Sequence, residues 1–223
     1  MEDLDRRVRK LVFDHFLENG TAPAMEEVAI QLRISVAEAG DAFVRLDEAH
    51  HLKLLEGTRR ILMTFPFSAI STPFRVTRSN GRCYFANCAW DSIAFHVMLS
   101  EPIRIDSFCA HCGERVQFRL ENGRGVPTLG ALPLVHLRLP AAEWWKDITR
   151  TCANTMVFLS SAEHHAGAGG NLAEQGVITV GQVLEMSGPI YGGKLRFDYD
   201  RPSLETVRST YERAGLTGPY WKL

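Results

Sequence analysis

The 223-residue sequence contains no apolar run that approaches the roughly 20 residues needed to span a bilayer. It also has no excess of one charge, since 25 Lys and Arg residues stand against 26 Asp and Glu residues. These absences exclude a strongly basic nucleic-acid-binding coat and an acidic disordered tail. The charged segment 1–10 has no hydrophobic signal core, so we expect a cytoplasmic protein without a membrane partner.

Cysteine is scarce, with five residues in the chain. An odd number without a secretion signal is a poor match to a disulfide framework, so we expect reduced thiols. Such thiols serve burial, metal binding or catalysis. Four of the five fall within 30 residues, and the full set is Cys83, Cys88, Cys109, Cys112 and Cys152.

The front of the chain has the pattern of three helices. Segments 4–20 and 25–32 place apolar residues on one face, and the first ends at an Asn-Gly pair. Ser35 and Glu38 form a capping box that opens a third helix reaching about residue 50. Short alternating strands with two prolines follow, which together with the helices indicates a winged-helix-like region over residues 1–78.

The remainder, residues 79–223, is predicted to be a mixed β-sheet core flanked by helices, so the fold class is α+β. The segment 79–81 (SNG) is typical of a hairpin turn, and residues 163–171 are expected to form a loop. Strands are predicted at 102–109, 115–120, 132–139 and 155–159, and helices at 90–99, 141–149, 177–186 and 203–214.

The first group with chemical potential is Cys88 with Asp91. If a helix begins at Cys88, a thiol and a carboxylate three residues apart lie on the same side. Backbone N–H groups at a helix start would also stabilise a thiolate. The alternative is a small core cysteine beside a solvated aspartate.

Two further features carry weaker signals. Cys109 and Cys112 form a C-x-x-C knuckle followed by glycine, which resembles half of a structural zinc site. A full site needs two further ligands, and the sequence contains no second knuckle that would supply them. Cys152 lies between a Trp-Trp helix and an apolar strand, where a buried structural cysteine is the ordinary interpretation. His164 and His165 have the pattern of solvated loop residues.

Taken together, these motifs resemble the alkylmercury lyase (organomercurial lyase) family. The resemblance is carried by segment 82–91 (RCYFANCAWD), segment 107–113 (SFCAHCG) and Cys152 ahead of an apolar strand, and it extends over about residues 20–200. It departs from the family at Ala153, where a second cysteine is common, and Cys83 and Cys112 have no counterpart.

The resemblance implies cleavage of the carbon–mercury bond by protonolysis, which yields a hydrocarbon and Hg(II). It assigns the catalytic roles, and the contacts to substrate mercury, to Cys88, Asp91 and Cys152, and it makes Cys109 structural. No cofactor is needed, because soft thiolates hold the soft metal and a carboxyl supplies the proton. It further implies that Hg(II) passes to low-molecular-weight thiols or a mercuric reductase, as part of mercury resistance. Phe85, Trp90, Phe95 and Trp145 would suit an organic group.

Two other functions stay open from the sequence. One is a lyase-like protein that binds thiophilic metals without turnover. The other is a metal-responsive winged-helix transcriptional regulator, against which charge argues: residues 1–60 hold nine basic and twelve acidic side chains. Such a surface repels phosphate, so DNA is not expected to be a partner.

Overall fold

The computed structural model describes residues 1–165 and 171–223, so part of the loop expected at 163–171 lies outside the described residues. The helices are α1 (Asp3–Asn19), α2 (Met25–Leu32), α3 (Val36–Glu48), α4 (Ala89–Leu99), α5 (Ile148–Arg150), α6 (Val180–Tyr191) and α7 (Leu204–Arg213). The strands are β1 (Lys53–Leu54), β2 (Ile61–Thr64), β3 (Phe67–Ser68), β4 (Arg75–Arg78), β5 (Cys83–Phe85), β6 (Ile103–Phe108), β7 (Arg115–Glu121), β8 (Arg124–Leu129), β9 (Leu134–Leu137), β10 (Met156–Leu159) and β11 (Val177–Thr179).

The three front helices begin and end where the sequence signals predict. Gly20 closes α1 with φ of +74°, a left-handed conformation that favours glycine, and its amide bonds the carbonyl of Phe16. The Ser35 hydroxyl accepts a bond from the Glu38 amide, while the Glu38 carboxylate accepts one from the Ser35 amide. The predicted capping box is therefore confirmed.

An aromatic cluster joins these helices to the rest of the molecule. The Phe67 ring on β3 stacks on Phe16 of α1 at 5.0 Å and meets Phe95 of α4 edge-on at 4.8 Å. All three side chains are buried. The front helices thus share one hydrophobic core with α4, while the division into regions 1–78 and 79–223 stays a prediction.

Within the described residues, the strands form three small antiparallel sheets. Their orders are β1-β2-β3, β5-β4-β6-β7-β8 and β10-β9-β11. The predicted turn at 79–81 connects β4 to β5. The predicted α+β class, with helices in front and sheets flanked by helices behind, is confirmed.

One predicted helix begins too early. Residues Val177–Thr179 form strand β11, which pairs with β9, and α6 starts only at Val180. The reason is local: Thr179 accepts a bond from the Gln182 amide in a capping box, and the β-branched residues before it suit a strand.

These elements bring three parts of the chain to one place. Helix α4 follows β5 directly, α6 packs against α4, and β10 lies beside them. Among the described residues, no helix combines the length and apolarity needed to cross a membrane.

Candidate active site

Helix α4 starts at Ala89, and Cys88 is its N-cap residue. The Cys88 backbone is extended, with φ of −158°, and its sulfur accepts a hydrogen bond from the Asp91 amide at 3.3 Å. The carboxylate of Asp91 occupies the first turn of the same helix. The expectation that a helix start places thiol and carboxylate on one side is therefore confirmed.

Cys152 reaches the same point from the other half of the chain. It lies in one turn of π-helix, Thr151–Thr155, immediately before β10, where the Thr155 hydroxyl bonds the Thr151 carbonyl. One ligand atom each of Cys88, Asp91 and Cys152 lie within 4.8 Å of one another. We call this group the Cys-Asp-Cys trio; its side chains are 1%, 2% and 3% exposed.

Burial governs the protonation of both sulfurs. It raises the pKa of Cys88 well above the ordinary thiol value, and this outweighs the opposing bond from the Asp91 amide. The hydrogen bond with Cys88 acts to lower the pKa of Cys152, but burial and the Asp91 charge prevail and raise it. The expected stabilisation of a thiolate by the helix start is thus outweighed, and both groups rest as thiols.

The Asp91 carboxyl has two fixed hydrogen-bond donors. Tyr191 Oη donates to Oδ1 at 2.6 Å, and Asn87 Nδ2 donates to Oδ2 at 3.0 Å. Burial raises the pKa of Asp91, while these two bonds and the charge of Lys194 oppose the rise. Asp91 is consequently a stronger base than an ordinary carboxylate, and its two oxygens are held in a fixed orientation.

Lys194 is a basic residue buried beside Asp91. Its side chain is buried, and Nζ lies 4.7 Å from the centre of the Tyr191 ring. Burial, and after it the Arg201 charge, lower the pKa of Lys194 to about 7, while the Asp91 charge opposes this shift. The protonation of Lys194 therefore changes near neutral pH.

A cavity of about 240 Å³ opens beside the trio. Trp90 and Trp145 line it, as expected from the sequence. Phe95 and Phe85 do not line it: Phe95 stacks on Tyr84 in the core, and Phe85 lies on β5. The other aromatic residues of the wall are Phe65, Trp144, Tyr191 and Tyr211.

Trp145 marks the open end of this cavity. Its indole is 39% exposed, and it stacks on the His50 ring at 3.9 Å. The Arg201 guanidinium lies 4.7 Å from the centre of the Trp145 ring. This side of the cavity is therefore formed by flat, partly apolar side chains.

Sequence reasoning missed Tyr191 and Lys194. Tyr191 is the last residue of α6 and Lys194 lies in the turn that follows, in the segment 191–194 (YGGK), which has no periodic pattern. Lysine is almost always exposed, so composition favours a surface position for Lys194. The sequence offers one weak signal for these two residues, which is a glycine pair placed between a tyrosine and a lysine at the end of a helix.

The remaining cysteines lie outside the trio. Cys83 is exposed on β5, within 3.1 Å of an Arg75 nitrogen. Cys109 and Cys112 lie together in the knuckle that the sequence predicts, and His164 lies beside them. His164 is half-buried and ends a 3₁₀-helix, and its Nδ1 lies 3.4 Å from the Cys109 sulfur, a contact that the expectation of a solvated loop residue did not include.

Two buried thiols and a carboxyl beside an apolar cavity define a protein suited to a soft metal ion that carries an organic group. A family model described as alkylmercury lyase matches residues 67–192, which is more than half of the chain. The chain is therefore an enzyme of the alkylmercury lyase family, and the resemblance drawn from its sequence is confirmed.

A solved structure has a related fold. The crystal structure of the mercury-bound form of MerB2 matches with a TM-score of 0.60 at 20% identity, over 88% of this chain and 91% of that chain. At this identity the likeness concerns the fold. No curated protein matches the chain in sequence.

Proposed function

We propose that the trio cleaves the carbon–mercury bond of an organomercurial by protonolysis. The observation that carries the proposal is the meeting of Cys88, Asp91 and Cys152 within 4.8 Å in a buried site. Metal–thiolate bonds are about 2.3 Å long even for zinc, a smaller ion than mercury, so one soft ion can bridge both sulfurs. The mercury bound by a protein of the same fold agrees with this function.

The first step captures the substrate, R–Hg–X. The sulfur of Cys88 forms a bond to mercury, its thiol proton passes to the Asp91 carboxylate, and X leaves as an anion. Asp91 suits this transfer because burial raises its pKa toward that of a thiol bound to a metal. The Tyr191 and Asn87 bonds keep the receiving oxygens oriented.

The second step breaks the bond to carbon. Cys152 adds its sulfur to mercury and loses its own proton to solvent, which raises the electron density on the metal. The electron pair of the C–Hg bond goes to carbon, and the proton held by Asp91 is transferred to that carbon. The products are R–H and Hg(II) bridged by Cys88 and Cys152, and no resident cofactor takes part.

The apolar wall has a role in both steps. The Trp90 and Trp145 rings contact the organic group and reduce water access, and a reacting carbon held beside the acid needs little reorganisation. Small thiols or a mercuric reductase then remove the Hg(II), which places the enzyme in mercury resistance. Small thiols are suited to this because thiolate ligands exchange readily at soft metals.

Asp91→Asn tests the proton transfer. We expect benzene release from phenylmercury to fall by a factor of about 10² to 10⁴, the usual contribution of general acid–base catalysis. Asn is isosteric and keeps both thiols, so gel filtration should still recover mercury with the protein. Asp198→Asn, a fully exposed carboxyl, is the matched control and should release benzene at the wild-type rate.

Two outcomes would contradict the proposal. Full turnover by Asp91→Asn would mean that the proton comes from another group. Tight mercury binding by the wild type without any hydrocarbon would instead identify a non-catalytic, thiophilic-metal-binding member of the family.

A further inference from the structure

A second group of soft ligands lies outside the trio. Cys109 follows β6, Cys112 comes three residues later, and His164 belongs to the 3₁₀-helix Ala162–His164. The His164 Nδ1 lies 3.4 Å from the Cys109 sulfur and 3.9 Å from the Cys112 sulfur. All three ligand atoms lie within 4.8 Å of one another.

These separations match a tetrahedral ion of the zinc type. With Zn–S bonds of about 2.3 Å and Zn–N bonds of about 2.1 Å, tetrahedral angles place sulfur and nitrogen about 3.6 Å apart and two sulfurs about 3.8 Å apart. The two sulfur–nitrogen distances, 3.4 and 3.9 Å, bracket the expected value. Small side-chain rotations therefore suffice to admit the ion.

The backbone around Cys109 is arranged for a thiolate. Gly113 has φ of +76°, which closes the turn, and its amide bonds the Cys109 carbonyl. The Ser160 amide donates to the Cys109 sulfur at 3.4 Å. A sulfur held in place by a backbone N–H donor is oriented to bind a metal ion.

The side of the group near Cys112 is open to solvent. Cys112 is exposed, and the Ser160 hydroxyl lies 3.1 Å from His164 Nδ1 and donates to Glu114 at 3.3 Å. The His111 ring stacks on the His164 ring at 4.8 Å, which fixes the plane of the imidazole. A water molecule can therefore complete the four ligands of zinc.

We propose that Cys109, Cys112 and His164 bind one zinc ion, with water as the fourth ligand. The ion ties the β6–β7 turn to the segment that follows β10. Strand β10 is already linked to this turn by the Ala110 amide, which bonds the Phe158 carbonyl. Because β10 follows the π-turn that carries Cys152, the zinc ion stabilises the strand on which the second thiol of the trio depends.

The test measures zinc directly, with no organomercurial present. Protein expressed with added zinc is dialysed and its metal content determined by mass spectrometry. We expect about one zinc per chain in the wild type and less than about a tenth of that in Cys112→Ser and His164→Asn. Both altered side chains are partly or fully exposed, and circular dichroism checks that the variants fold.

Cobalt(II) substitution gives a second readout. A tetrahedral site with two thiolates should give sulfur-to-cobalt charge-transfer bands and intense visible bands, which Cys112→Ser loses. Cys88→Ser, which removes a thiol of the trio, is the matched control and should keep both the zinc and the bands.

Three results would overturn the site. They are a wild type without zinc, a His164→Asn variant that retains full zinc, and a metal lost from Cys88→Ser but kept by Cys112→Ser. None of these measurements depends on hydrocarbon release, so the zinc site and the proposed function fail or succeed separately.

Discussion

Tyr191→Phe removes one hydroxyl from the centre of the site. The hydroxyl donates to Asp91 Oδ1 at 2.6 Å, whereas the ring, on which Lys194 lies, is retained. This bond favours the ionised carboxylate and opposes the rise in the pKa of Asp91 that burial causes. Its loss therefore raises the Asp91 pKa further.

The size of the shift follows from the charge on the acceptor. A hydrogen bond to a charged group contributes about 1.5 to 3 kcal/mol, and one pKa unit corresponds to about 1.4 kcal/mol. Tyr191→Phe should thus raise the pKa of Asp91 by about 1 to 2 units. The loss is specific to the ionised form, so it is measurable both in kinetics and in stability.

The kinetic assay is kcat/KM for hydrocarbon release as a function of pH. If Asp91 accepts the Cys88 proton, it must be ionised in the free enzyme, and the rate falls as pH falls through its pKa. The acid limb of the variant should therefore lie about 1 to 2 pH units above that of the wild type.

The stability assay has a defined sign. The folded Asp91 has a raised pKa, so the folded state binds more protons between the unfolded and folded pKa values. The free energy of unfolding then falls as pH rises through that interval. Tyr191→Phe widens this interval. The variant should therefore lose about 1.5 to 3 kcal/mol more unfolding free energy at a pH where Asp91 is ionised than it loses at acid pH, where Asp91 is protonated.

Tyr199→Phe is the matched control. Its hydroxyl donates to the Ile190 carbonyl at 2.7 Å and does not reach Asp91, so it should destabilise by a similar amount at every pH and leave the acid limb in place. An unmoved acid limb in Tyr191→Phe, together with a pH-independent loss of stability, would refute the reasoning.

Three further changes test other parts of the structure. Cys152→Ser should abolish hydrocarbon release while Cys88 still binds R–Hg, whereas Cys83→Ser, which alters an exposed side chain, should retain release; turnover in Cys152→Ser would refute the role of Cys152. Lys194→Met should raise the free energy of unfolding by several kcal/mol at about pH 6, because burial lowers the Lys194 pKa to about 7. The unfolded chain binds the extra proton between the two pKa values, so this gain should fade toward about pH 10, and a pH-independent gain would contradict it. Phe67→Ala should lower the free energy of unfolding by about 3 to 5 kcal/mol in denaturant titrations, and a loss below about 1 kcal/mol would argue against the shared aromatic core.

The ends of the helices could be predicted because their signals are local. The Ser35 capping box and the glycine after α1 act within a single turn, so the sequence contains all that determines them. The same signal at Thr179 marks the start of α6, so the helix predicted at 177–186 wrongly includes β11. Strand β8 was also missed, because Gly125 and Pro127 interrupt its pattern.

The site was predictable to the extent that its contacts are local or its motifs resemble a family. Cys88 and Asp91 belong to one helix turn, so their spacing alone indicates proximity. Cys152 joins them through the packing of β10 beside α4, which no spacing rule expresses, and only the family resemblance pointed to it. Lys194 owes its position to tertiary burial, which its residue type argues against, and His164 meets Cys109 through a contact between segments 55 residues apart.

Burial of the trio explains both the protonated thiols of the substrate-free protein and the raised pKa of Asp91. Deep burial raises the pKa of both thiols, and protonated thiols are poor nucleophiles toward ordinary oxidants and electrophiles. In the proposed mechanism a soft metal removes this protection, because bonding to mercury displaces the proton that burial retains. The displaced proton needs a nearby acceptor that later becomes a donor, and the raised pKa of Asp91 suits both duties. In the proposed mechanism, the burial that keeps both sulfurs protonated without substrate therefore also raises the pKa of the proposed proton donor, Asp91.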